Sequence, residues 1–158
     1  MQLLNPIDYQ PTAVQVVEDL AHEFVHLLPG CRIEHVGSSA IPGVVSKGDI
    51  DVCVLVPAQQ HQPTVAALER VGYVAKRDTL RTPELCMMLS PRGDVDLALQ
   101  VVAEGSRFEF FMRFRDALRA SPALVKAYNE VKQSAACLSA EEYRAAKSAF
   151  IASVLHTA

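Results

Sequence analysis

At 158 residues, half of them hydrophobic and 21% charged, the chain has the length of about one domain and the apolar content for a single sizeable core. A net charge of −3 argues against an overall basic field for non-specific nucleic-acid binding. The four cysteines lie far apart with no CxxC pairing, no apolar run approaches the ~20 residues of a membrane span, and no charged leader precedes an apolar stretch. A disulfide scaffold, a zinc site and a membrane anchor are therefore not expected. The expectation is a cytoplasmic domain spanning 1–158.

In chain order, Val14, Val17, Leu20, Ala21, Phe24, Leu27 and Leu28 recur at helical spacing after Pro11, and Pro29-Gly30 ends that helix. Arg32 to Val36 reads as a short strand running into Gly37-Ser38-Ser39. Asp49 to Val56, rich in valine and isoleucine, reads as a buried strand. Pro63 to Val71 is a helix stopped by Gly72. Leu85 to Leu89 and Val95 to Val102 are apolar strands joined by Ser90-Pro91-Arg92-Gly93-Asp94, a hairpin signal. Helices follow over roughly 107 to 119, 122 to 136 and 140 to 156. Ser121-Pro122 opens the second of these, and Ser139 with Glu142 forms a capping box for the third. This order predicts an α/β (α+β) domain with a small mixed sheet and a helical C-terminal part.

The chemistry concentrates between residues 36 and 51. Glycine directly after a strand lets the backbone approach a phosphate closely, and the hydroxyls of Ser38 and Ser39 can donate to phosphate oxygens. Alternation along a strand puts Asp49 and Asp51 on one face. Two such carboxylates repel unless a cation lies between them. Mg²⁺, or Mn²⁺, is the natural candidate, being hard and shared with substrate phosphates. Asp94 and Asp96 open the later strand. Asp96 is expected as the third carboxylate of a metal site, with a solvated strand end as the alternative. Asp94 is better explained by the Arg92-Gly93-Asp94 turn.

The block Ile33-Glu34-His35-Val36-Gly37-Ser38-Ser39-Ala40-Ile41-Pro42-Gly43 resembles the signature of the GrpB-like proteins of the nucleotidyltransferase (polymerase-β-type) superfamily. The resemblance continues through Asn5-Pro6-Ile7-Asp8-Tyr9, Gly72-Tyr73, Phe114 to Arg119 with Pro122, and Tyr128, Lys132, Tyr143, Lys147 and Phe150. It implies the nucleotidyltransferase fold, with Gly-Ser and Asp-x-Asp as active motifs. Many members carry Ala-Lys-Pro-Ile-Ile-Asp where this chain reads Ser46-Lys47-Gly48-Asp49-Ile50-Asp51. Many also carry His-x-His where it has Ala98 and Gln100. Asp49 thus adds the superfamily's first acid, and Asp96 is placed to supply its third.

The functional expectation is transfer of a nucleoside monophosphate from a nucleoside triphosphate to a hydroxyl or amine of a small molecule or protein. Gly37, Ser38, Ser39 and Lys47 would bind phosphates, and Asp49, Asp51 and Asp96 would be the catalytic, metal-holding acids. A non-catalytic nucleotide- or metabolite-binding module is the alternative. His22-Glu23-Phe24-Val25-His26 matches HExxH, but both histidines fall opposite the helix's apolar stripe, which reads as a chance match. His35 reads either as a hydrogen-bonded strand histidine or as a substrate contact. Lys76, Arg77 and Arg81 read as a phosphate rim or a charged loop. Arg113 and Arg115 face the cleft if their helix crosses it, and Tyr143 with Lys147 form a cleft wall or a packed pair.

Overall fold

The computed structural model describes residues 1–157; Ala158, the last residue of the expected domain, lies outside them. Asn5 caps α1 (Pro6–Leu27), its Oδ1 accepting from the Ile7 N–H at 3.2 Å, while Pro6 holds the first helical position and Asp8 the first turn. The helix thus starts well before Pro11, which lies inside it. The N–H that Pro11 lacks is offset by tertiary bonds on the same turns. Tyr9 Oη donates to the Val44 carbonyl at 2.7 Å, and Gln10 Nε2 to the Ile41 carbonyl at 2.7 Å. The buried stripe is Tyr9, Ala13, Val16, Leu20 and Phe24, rotated from the expected one so that Val14 is exposed.

A five-stranded mixed sheet follows. Its strands are β1 (Arg32–Val36), β2 (Ile50–Val56), β3 (Val74–Ala75), β4 (Leu85–Leu89) and β5 (Leu97–Ala103), in spatial order β1-β2-β5-β4-β3. Only β2 and β5 pair in parallel, with Asp51 opposite Ala98 and Cys53 opposite Gln100. Every residue of β5 is buried, as expected for a central strand covered on both faces. One face packs Val52, Val54, Leu99 and Val101 against α1 and α2 (His61–Arg70). The other packs Cys53, Leu55 and Val102 against Phe108, in a 3-10 turn over Arg107–Glu109, and Met112 of α3 (Phe110–Arg119).

Ser121 caps α4 (Pro122–Ala135), accepting from the Leu124 N–H at 3.2 Å. Ser139 and Glu142 make the reciprocal capping box of α5 (Ala140–Thr157), at 3.0 and 3.1 Å. Phe114, Leu118, Tyr128 and Val154 from these helices enclose Ile41 and Val44 in a third apolar cluster. The segment between β1 and β2 is therefore held by a core of its own.

β2 starts at Ile50 and β5 at Leu97, later than the sequence suggests. Asp49, Asp94 and Asp96 consequently lie at strand mouths rather than inside ladders. Arg92 closes on Asp94 with two bonds of 3.0 and 2.7 Å, so Asp94 completes the turn. Among the described residues, no helix is long and apolar enough to cross a membrane.

Candidate active site

Gly37 leaves β1 with φ +72°, a conformation that L side chains rarely adopt. A Cβ built on it would lie 2.7 Å from Asp51 Oδ2. The glycine is therefore required twice, by its dihedral and by the carboxylate pressed against it. Ser38 follows in a 3-10 turn over Ser38–Ala40, and its hydroxyl accepts from Lys132 Nζ. Asp49 stands just before β2 and accepts from Ser46 Oγ at 3.1 Å. Asp51 is the second residue of β2 and shares the sheet face of Cys53 and Leu55.

Gly37, Ser38, Lys47, Asp49 and Asp51 line one side of a cavity of about 610 Å³. Tyr143 and Lys147 of α5 form part of its wall, Lys147 Nζ lying 5.3 Å from the Tyr143 ring centroid. Phe110, Phe111, Met87 and Gln100 line the side over β5 and β4. Burial, then repulsion from Asp49 and Asp96, pushes the Asp51 carboxyl up to about 7, against the opposing pull of Lys147 and Lys47. Crowded, desolvated negative charge of this kind is what a bound cation relieves. As hard oxygen donors, the two carboxylates at this cavity wall fit Mg²⁺ or Mn²⁺ in kind.

The expected three-acid cluster is not assembled. Among the described residues, no three His, Cys, Asp or Glu side chains lie together as metal ligands. Asp96 is exposed at the rim, outside the cavity wall, with its carbonyl accepting from the Ile50 N–H at 2.8 Å. It precedes β5, so strand alternation does not aim its side chain. Ser39 also departs from expectation: it is buried and its Oγ bonds His35 Nε2 at 2.7 Å. Burial, with Arg119 and Arg115 nearby, lowers the His35 pKa to about 4, so the ring is neutral and structural.

Arg113 and Arg115 do not face the cleft. Arg115 is buried against β1, donating to Glu34 at 2.8 Å and to the His35 carbonyl at 3.0 Å, and Arg113 lines a separate polar hollow. Of the loop cations only Lys76 reaches the cavity, paired with Asp78, while Arg77 and Arg81 are exposed elsewhere. His22 and His26 are exposed on α1.

Lys132 is the residue to which the sequence reading assigns no role. It is 1% exposed, donates to Ser38 Oγ and the Val45 carbonyl, and lies 4.9 Å from the Tyr128 ring centroid. Burial, with Lys147 adding to it, lowers its pKa to about 7, while Asp49 and Asp51 pull the other way. Tyr128, Lys132 and Ala135 recur at helical spacing on the buried stripe of α4. A lysine in that stripe is the signal that marks it. Asn129 ties down the same loop, its Oδ1 accepting from the Val45 N–H and its Nδ2 donating to the Gly43 carbonyl, both at 2.9 Å.

The five-stranded mixed sheet flanked by helices has the nucleotidyltransferase fold. A mutant of the Cid1 poly(U) polymerase bound to MgATP superposes with a TM-score of 0.53 at 12% identity, over 77% of this chain and 39% of that one. The conserved protein GrpB from Enterococcus faecalis superposes with a TM-score of 0.78 at 24% identity, over 97% and 94% of the two chains. A UPF0157 protein of Vibrio cholerae is 48% identical over 98% of this chain and 82% of its own length. One from Deinococcus radiodurans is 34% identical over 83% and 69%. The family model described as GrpB protein matches residues 6–157, and the chain belongs to that family.

Proposed function

We propose that the protein is a Mg²⁺-dependent nucleotidyltransferase acting on a nucleoside triphosphate, with Mn²⁺ as the substitute ion. The observation that carries this reading is the approach of Gly37 to Asp51, which brings the Gly-Ser turn against the acid pair inside one cavity. The triphosphate lies along Gly37 and Ser38. Because Ser38 Oγ accepts from Lys132, its own hydroxyl proton is free to donate to a phosphate oxygen. Lys47 and Lys147 offset the added negative charge. Asp49 and Asp51 would hold the magnesium ion, which would supply charge neutralisation for the phosphates. A hydroxyl or amine of a small molecule or protein attacks the α-phosphorus and gives up its proton to solvent, while the bond from that phosphorus to the oxygen bridging to the β-phosphate breaks and pyrophosphate leaves with its electron pair. Positioning and electrostatics carry the rate. A cytoplasmic location accords with four unpaired cysteines.

One observation favours a second reading, a nucleotide-binding module without turnover: Asp96 stays outside the cavity. Pyrophosphate release across a panel of acceptors, with each nucleoside triphosphate and Mg²⁺, separates the two. The transferase reading expects release that Asp51→Asn abolishes. Mg²⁺-dependent binding with no release from any acceptor would select the binding module.

A further inference from the structure

Beyond the phosphate end, the cavity continues across the sheet, and its floor there carries a polar group with nothing to bind. Gln100 is central in β5, paired with Cys53 of β2 on one side and Met87 of β4 on the other. Alternation puts it on the sheet face of Val102, under α3. It is 9% exposed, and that remaining surface opens into the cavity. Among the described residues, its carboxamide makes no hydrogen bond to protein, while other buried polar side chains such as His61 and Lys132 find partners. No fully buried side-chain N or O atom lacks a partner among the described residues, so the carboxamide of this otherwise buried glutamine keeps its atoms open to the cavity, where a ligand or solvent pairs with it.

The walls around it are flat and apolar. Phe110 and Phe111 stand with ring centroids 4.3 Å apart and planes 26° from parallel, both half-buried and both lining the cavity with Met87. Such aromatic surface stacks on planar rings whatever their identity. A carboxamide presents a donor and an acceptor side by side, and so matches a ring edge bearing the complementary pair.

We infer that Gln100, with Phe110 and Phe111, forms a subsite for a nucleobase, and that Gln100 selects among bases by their donor–acceptor edge. This subsite rests on the nucleotide reading above and extends it. Its occupant is the base of the triphosphate itself or the base of a nucleoside acceptor. The chemistry is shared, and the test separates the sources.

The experiment titrates the wild type, Gln100→Leu and Gln100→Glu with Mg²⁺ and inorganic tripolyphosphate, with each of the four nucleoside triphosphates, and with each nucleoside alone. Thermal melts establish that each variant is folded. In the wild type, one triphosphate or one nucleoside should exceed the others by about tenfold or more. Gln100→Leu should flatten that preference, and Gln100→Glu, whose carboxylate only accepts, should move it toward a base with adjacent donors, such as the N1–H and N2–H₂ of guanine. Preference among triphosphates assigns the subsite to the donor nucleotide. Preference among nucleosides that persists with tripolyphosphate bound assigns it to the acceptor. Selectivity identical in all three proteins, or absent from the wild type while tripolyphosphate binds, overturns the subsite alone. Failure of tripolyphosphate to bind with Mg²⁺ in the wild type instead removes the phosphate site beneath it, and the nucleobase assignment falls with it.

Discussion

Gly37 is the residue on which the two motifs meet. Its φ of +72°, and an Asp51 Oδ2 only 2.7 Å from where a Cβ would stand, leave no room for a side chain. Gly37→Ala should therefore cost about 1–3 kcal/mol of stability, measured by urea unfolding, and should also displace Asp51 and weaken Mg²⁺-dependent nucleotide binding. Asp51 carries a pH signature of its own. Its carboxyl titrates at about 7 in the folded chain, above the ordinary unfolded range near 4. The folded state thus holds this proton more tightly than the unfolded one. Its destabilising contribution is absent at acid pH, grows between about pH 4 and 7, and is full above that. Asp51→Asn should accordingly be more stable than wild type at pH 8 and close to it at pH 4, in paired thermal melts without ligand. An equal difference at both pH values would show that Asp51 does not carry the shift.

At the scale of elements, the segment from Gly37 to Gly48 is positioned by three helices. Tyr9 and Gln10 of α1, Arg119 of α3, and Asn129 and Lys132 of α4 all bond its carbonyls, amide or hydroxyls. Lys132→Met keeps the stem's volume and removes the donor to Ser38 and Val45. It should accelerate amide hydrogen exchange across residues 38–46 and weaken nucleotide binding, while leaving exchange in β5 unchanged. Equal protection in the two proteins would show that Lys132 does not tether the loop. The sequence makes the strands and helices legible because their signals are local. Ser139 and Glu142 cap α5 where the spacing predicts, and the valine-rich run forms β2. The start of α1 and the loop clamp are less legible. Pro11 reads as a helix boundary until Tyr9 and Gln10 are seen bonding residues more than thirty positions away.

For the whole molecule, the fold is legible in the order of strands and helices and in the block from Ile33 to Gly43, and the Gly-Ser turn and the acids are legible as the end of one strand and the head of the next. Ser39, Arg115 and Asp96 are not. Their side-chain directions depend on the 3-10 turn, on the partner waiting on β1, and on β5 starting at Leu97. Spacing alone carries none of these. Binding of nucleotide by Asp49 and Asp51 through a divalent cation is what the proposed function depends on. It is tested most directly by melting wild type and Asp51→Asn with nucleoside triphosphate, with Mg²⁺, and with both. Ligand at a hundredfold excess over its dissociation constant stabilises the folded state by ~2.7 kcal/mol. At roughly 2–4 °C per kcal/mol for a chain of this size, the rise in Tm is several degrees. Wild type should show that rise only when Mg²⁺ and nucleotide are both present, and Asp51→Asn should lose it. A rise of the same size without Mg²⁺, or one retained in Asp51→Asn, would contradict this binding mode.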